Sequence, residues 1–267
     1  MARMIWTAGV LAGAVTLLCA TAASADSPYL KPNTWDATGR DHITVEAGFT
    51  EDIFQGRVAM RSDFFHIVGP NGDTPITQVT SLRDLTVFEA ATPVDGTYRI
   101  SSGARVGRTA KMYRATDGSW KMVGEEDTPP PADAPLVDVQ SITKAEVYLT
   151  RGAPDHGALE PTGDGLELVP QIHPSDIVAG EDATFQLLFF GQPLAGAHVT
   201  VFRERGLYDG RKIEVELTTD AEGRFTVRAG DAGAYMTQVR HRTESPEGAA
   251  TPYRSYTHTL VFVAQSQ

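Results

Sequence analysis

An all-β chain folded as two antiparallel β-sandwich domains is what this sequence predicts, and three observations carry the prediction. Apolar residues alternate with polar ones along much of the chain. No segment sustains an apolar stripe of period 3.6. Clusters rich in Gly, Pro, Asn and Asp separate the alternating runs, and such residues end strands because glycine adopts positive φ cheaply and proline presets φ.

The first 25 residues read as a leader rather than as structure. Arg3 precedes an apolar run over residues 5–18, and Ala23-Ser24-Ala25 supplies the small residues of a cleavage site, so Asp26 is the expected mature start and the periplasm the expected location. The run is too short to cross a bilayer, and no membrane span is expected in the mature form. Leu18 stands where a lipoprotein signal needs a small residue before Cys19, which argues against a lipid anchor. Cleavage removes the single cysteine, so the remaining 242 of the 267 residues must fold on hydrophobic burial without a disulfide.

Residues 42–49 set Ile43, Val45, Ala47 and Phe49 against His42, Thr44 and Glu46, the pattern of a half-buried strand. Residues 64–68, with Phe64, His66 and Val68 taken as one face, run into the turn cluster Gly69-Pro70-Asn71-Gly72-Asp73, a hairpin or sharp corner. Strands over 86–90 and 97–101 join through Pro93 and Asp95-Gly96 and complete an N-terminal sandwich over residues 26–127. Consecutive prolines at 129–131 demand extended backbone, so residues 128–164 are expected to hold a linker and a bridging strand. In that strand Ala145, Val147 and Leu149 alternate with Glu146, Tyr148 and Thr150, and it is expected to pair across the domain boundary. A C-terminal sandwich over 165–267 would then contain strands at 183–190, 197–203, 211–218, 224–228, 234–242 and 253–263.

Two tight turns stand out in that second half, Gly191-Gln192-Pro193-Leu194-Ala195-Gly196-Ala197 and Thr219-Asp220-Ala221-Glu222-Gly223-Arg224-Phe225. Together they resemble the prealbumin-like or carboxypeptidase-regulatory-like seven-strand sandwich, a scaffold that carries many unrelated functions. A narrower resemblance spans nearly the whole mature chain. Ser27-Pro28-Tyr29-Leu30-Lys31-Pro32-Asn33, Gly165-Leu166-Glu167-Leu168-Val169-Pro170 and His173-Pro174-Ser175-Asp176, in that order, are similar to the exported family catalogued as domain of unknown function 4198. That family is often labelled a periplasmic component of cobalt or nickel transport, and the resemblance therefore implies binding of a divalent transition metal.

Charge excludes two partner classes. The formal net charge is −11, and becomes −12 once Arg3 leaves with the leader. Such a surface repels phosphate backbones and anionic lipid, so nucleic acid is not an expected partner. Cations and basic ligands are favoured, although an acidic surface also serves solubility alone.

Cobalt, nickel, copper and zinc favour imidazole supplemented by carboxylate or amine, and without a His-rich tract the fold must gather those groups from separate strands. The family resemblance points to the mature N-terminus, where many members carry histidine; here Asp26 stands instead. Its carboxylate beside the free α-amine can chelate, although an amine with a pKa near about 8 is mostly protonated at neutral pH. His173 matches the family pattern. His42 and His198 are expected to face solvent, His66 to lie in a core-facing strand and His156 in a loop. If residues 243–252 form the last hairpin loop, His241 falls opposite Arg254 and His258 opposite Thr237, about 13 Å apart along the ladder and unable to share an ion. His241, near a strand end, is preferred to His258, which alternates with Tyr256, Leu260 and Phe262. The candidate metal ligands are thus Asp26, His173 and His241.

Enzyme chemistry finds no anchor. The sequence has no Gly-x-Ser-x-Gly elbow, no cysteine beyond the leader, no phosphate-binding glycine loop and no carboxylate pair marked by spacing. Two functional expectations remain. One is metal binding accessory to uptake. The alternative is a non-catalytic envelope module that docks a transporter or a TonB-dependent outer-membrane receptor, with Tyr29, Trp35, Tyr113 and Trp120 as candidate aromatic anchors.

Overall fold

A computed structural model describes residues 26–124 and 129–267; the leader read over residues 1–25 and four residues at the start of the proline-rich segment lie outside the described residues. In chain order the first strands are β1 (Ser27–Pro32), β2 (His42–Thr50), β3 (Val58–Ala59), β4 (His66–Gly69), β5 (Gly72–Pro75), β6 (Val79–Ser81), β7 (Thr86–Ala91), β8 (Gly96–Ser101), β9 (Arg105–Arg114) and β10 (Trp120–Met122). Then follow β11 (Val137–Arg151), β12 (Leu166–Pro170), β13 (Asp182–Phe189), β14 (Gln192–Pro193), β15 (His198–Arg203), β16 (Ile213–Thr218), β17 (Arg224–Arg228), β18 (Gly233–Glu244) and β19 (Tyr253–Ala264). Among the described residues, helix is confined to short pieces such as α1 (Gly206–Asp209).

The all-β prediction holds, and the strands stack as three layers. One ten-stranded sheet runs β16-β15-β18-β19-β11-β8-β4-β5, with β9 and β10 attached beside β11. A sheet of β1, β2, β3, β6 and β7 covers one of its faces, and a sheet of β12, β13, β14 and β17 covers the other. Alternation along β11 explains how both layers find a core. Ala145, Val147 and Leu149 enter a cluster with Tyr29, Ile43, Val45 and Phe88, while Tyr148 enters a second cluster with Leu168, Phe185, Leu187 and Leu260. Strand 137–151 crosses from one half to the other, pairing antiparallel with β8 and β9 and parallel with β19, from Val139↔Tyr253 to Val147↔Val261.

Four details depart from the local reading. The last hairpin pairs Glu244 with Tyr253, so His241 faces Tyr256 and His258 faces Val239, a register two residues away from the expected one. Phe65 and Ile67 are the buried face of the fourth strand, whereas Phe64 is exposed and His66 half-buried. The strand β9 was not anticipated. The turns at 191–197 and 219–225 hand the chain between sheets: β16 pairs β15 in the large sheet, and β17 pairs β13 in the covering one. Gly223 makes the second transfer feasible, with φ of 73° and an absent Cβ that would lie 2.5 Å from the Leu187 carbonyl oxygen.

Candidate functional site

The three residues expected to bind metal occupy three places. Asp26 is exposed at the start of β1. That strand lies on the face of the large sheet where Gln238 donates to Ser27 Oγ at 2.6 Å and Thr259 donates to the Pro28 carbonyl at 2.7 Å. His241 projects from the opposite face, in phase with Val239, and packs edge-on against Phe189 with ring centroids 4.7 Å apart. Burial lowers its pKa below the ordinary value. His173 is a structural cap. Its Nδ1 accepts from Ser175 N at 3.2 Å and from Ser175 Oγ at 2.6 Å, while Nε2 meets Thr97 Oγ1 at 2.8 Å and the Asp155 carbonyl at 3.1 Å. Both ring nitrogens are therefore committed. The described residues contain no group of three or more His, Cys, Asp or Glu that could hold a metal ion, and Asp26, His173 and His241 do not fit a shared one.

A different histidine sits at the centre of the molecule. His258 is fully buried on β19, beside Lys144 in the parallel ladder. Leu168 N donates to its Nδ1 at 3.0 Å, which leaves the proton of a neutral ring on Nε2, 3.1 Å from Glu146 Oε2. The ring is turned so that this N–H does not align on the carboxylate, and the contact is one of proximity between a dipole and a charge. Glu146 lies 4.0 Å from Arg99 Nε, and Lys144 Nζ lies 3.9 Å from Glu167 Oε1. Glu167 also accepts from Thr162 N, Thr162 Oγ1 and Gly163 N. Two cations and two carboxylates are thus balanced inside the fold. Burial would raise the Glu146 pKa, but Lys144, His258 and Arg99 hold it well below the usual carboxylate range. Burial depresses the pKa of His258. Burial, reinforced by Glu146, pushes the Tyr148 hydroxyl upward. This charge set joins β8, β11, β12 and β19, and its role is to lock them together.

Beside it opens an apolar cleft of about 240 Å³, walled by Val106, Ile142, Leu166, Phe190 and Tyr256. Lys144, Asp164 and Arg254 supply its charges. Phe190 is held there by an unusual backbone. It occupies the first central position of the two-residue turn between β13 and β14 at φ of 48°, followed by Gly191 at 73°. Hairpin turns of this kind favour Asn or Gly because both central residues need positive φ, and a bulky residue there costs on the order of 1–3 kcal/mol. Its N–H donates to the Gly165 carbonyl at 2.7 Å, and its ring stands half-exposed, 6.2 Å from that of Tyr256. Val106, 64% exposed, belongs to the part of β9 that β10 leaves uncovered, because β10 pairs only with Met112, Tyr113 and Arg114. The sequence carried one overlooked sign of this cleft, an aromatic residue directly before Gly191 where a turn prefers a small polar residue.

The family model described as Domain of unknown function (DUF4198) matches residues 23–243. No curated protein matches the sequence. Among solved structures, the chain is similar to the D0-D1 domain of Intimin at 12% identity, covering 87% of this chain and 96% of that one with a TM-score of 0.23. It is similar to native alpha-2-macroglobulin from Escherichia coli spanning domains NIE-MG1 at 10% identity, covering 80% and 93%, TM-score 0.23. The chicken CNTN1 FN1-FN3 domains align at 7% identity, covering 90% and 100%, TM-score 0.23.

Proposed function

The chain belongs to the DUF4198 family, and on that premise we propose that it is a non-catalytic binding module, exported to the periplasm, that docks an envelope partner such as a transporter or an outer-membrane receptor. The observation that carries this reading is the cleft, where Phe190 is kept half-exposed at positive φ beside Tyr256 and Val106. Backbone strain and an exposed aromatic are both unfavourable for a structural turn, and both are expected where a surface receives a partner. Metal delivery draws no comparable support. It needs Asp26, His173 and His241 to converge, and they lie on different faces and in different hydrogen-bond networks.

The test is site-directed photocrosslinking in the native host. A photoreactive residue replacing Val106 in the full-length chain gives a discrete adduct with one envelope protein, and Phe190→Ala reduces it. The same residue at Tyr208, 86% exposed and outside the cleft, gives no such adduct. Identical labelling from both positions, or an adduct indifferent to Phe190→Ala, contradicts the proposal.

A further inference from the structure

We infer that the cleft receives the C-terminal residue of a partner polypeptide, an apolar side chain with its free carboxylate, at the end of an acidic extended segment; this rests on the docking reading above. Arg254 is the first observation. It lines the cleft half-buried, and its side chain makes no hydrogen bond or ion pair with any described residue. Other sheltered arginines are provided for: Arg203 is ringed by Asp209, Glu214 and Asp231 at 2.9–3.5 Å, and Arg99 faces Glu146. Among the described residues no carboxylate pairs with this partly desolvated guanidinium, although Asp164 lines the same cleft and the chain carries 34 Asp and Glu with a net charge of −11. A guanidinium so placed suits a carboxylate arriving from outside, which it can hold through two parallel hydrogen bonds.

Size selects the occupant. At about 240 Å³ the cleft falls below the roughly 300–1,000 Å³ of pockets that enclose whole small-molecule ligands, and it suits one side chain. Leu166, Phe190, Tyr256 and Ile142 favour an apolar one.

The neighbouring strand edge supplies the rest. Over residues 105–110, β9 has β11 on one side and no strand on the other among the described residues, while the Lys111 carbonyl accepts from Val123 N at 2.9 Å. Such an edge offers backbone groups to an incoming extended chain, and main-chain pairing leading to a captured terminal carboxylate is an established mode of peptide recognition. Lys111 is paired with Asp138 at 3.1 Å and Arg105 donates to the Arg61 carbonyl, but Arg105 and Arg108 still leave this edge net cationic within an acidic protein, so the partner segment is acidic. Val106 lies both on the edge and in the cleft, which joins the two surfaces.

The experiment uses the full chain and a short fluorescent peptide of Ser, Asp and Glu ending in Phe, as free acid and as C-terminal amide, read by fluorescence anisotropy. The acid binds saturably, and amidation or Arg254→Gln weakens it at least tenfold, the loss expected for a charge-assisted hydrogen-bond pair. N-acetylphenylalanine, which carries the same terminal group without the extended segment, competes far more weakly than the peptide. Equal binding by acid and amide overturns the carboxylate assignment and leaves the docking reading to the Val106 crosslink. Equal competition by N-acetylphenylalanine overturns the polypeptide assignment in favour of a free acid. Absence of binding by either peptide overturns the inference as a whole. A thermal melt of Arg254→Gln shows whether that variant is folded; if it is not, the acid–amide comparison decides alone.

Discussion

His258 Nε2 stands 3.1 Å from Glu146 Oε2 with both side chains closed to solvent, at the point where β11 and β19 join the two halves of the protein in parallel. The pair titrates as a unit, so its effect on stability is read from the two directions together. His258 has a folded pKa below 6.5, so the unfolded chain binds the proton first, and stability falls as pH drops through that range. Glu146 has a folded pKa below 4.5, so its contribution is complete above that value and is lost on further acidification. The groups facing the pair are Arg99 from β8, Lys144 and Tyr148 from β11, and Glu167 from β12. Urea unfolding midpoints are therefore expected to be level above about pH 7 and to fall steadily towards about pH 5. His258→Gln flattens the upper part of that fall; an unchanged slope would show that the histidine is not its source.

Removing the carboxylate while keeping its shape strands a buried cation. Glu146→Gln is expected to cost about 3–5 kcal/mol, since it leaves Arg99 without its facing carboxylate in a dry site while Lys144 keeps Glu167. Asp182→Asn breaks a shorter contact, 2.7 Å to Arg228, but both groups are exposed, and chemical denaturation is expected to register little change. A larger loss at Asp182 than at Glu146 would refute the assignment of Glu146 to the structural centre.

Gly223 and Gly210 have nearly the same positive φ, 73° and 79°, but only Gly223 would place a Cβ against backbone. Gly223→Ala is expected to lose at least about 1 kcal/mol more than Gly210→Ala in unfolding experiments, because steric overlap adds to the shared conformational penalty. Equal losses would mean that the transfer turn has room to relax.

Phe190→Asn separates stability from docking. Asparagine tolerates positive φ, so the variant is expected to be more stable by about 1 kcal/mol and to give less adduct from the Val106 crosslinker. A variant that is destabilised and still crosslinks fully would make Phe190 an ordinary packing residue.

What could be read from the sequence depended on how local its cause was. Strands such as β13, β15 and β17 announce themselves because Ala183, Phe185 and Leu187, or Val199 and Val201, alternate towards one core and end at glycine turns. β9 left no such trace: Arg105, Gly107, Arg108 and Lys111 interrupt any apolar rhythm, and only Met112 and Tyr113 are buried. The alternation of Glu146 and Tyr148 with Ala145 and Val147 marks two faces of a strand without showing that both are covered. β11 is covered on both sides, since it lies in a sheet that both outer layers share. That sharing arises from the parallel pairing of residues 139–147 with 253–261, a contact across more than a hundred residues that no local pattern encodes. His258, which alternates with Tyr256, Leu260 and Phe262, is buried with them, in a hairpin whose register differs from the expected one by two residues.

The central claim is that the cleft and the free edge of β9 are a covered surface in the cell. The most direct measurement is amide hydrogen exchange over Arg105–Lys111 in the purified full chain, alone and with the partner identified from the Val106 adduct. The account predicts that exchange in this segment slows markedly when the partner is present, while the outer strand β5 at the far end of the same sheet is unaffected. Identical exchange in β9 with and without the partner would contradict it.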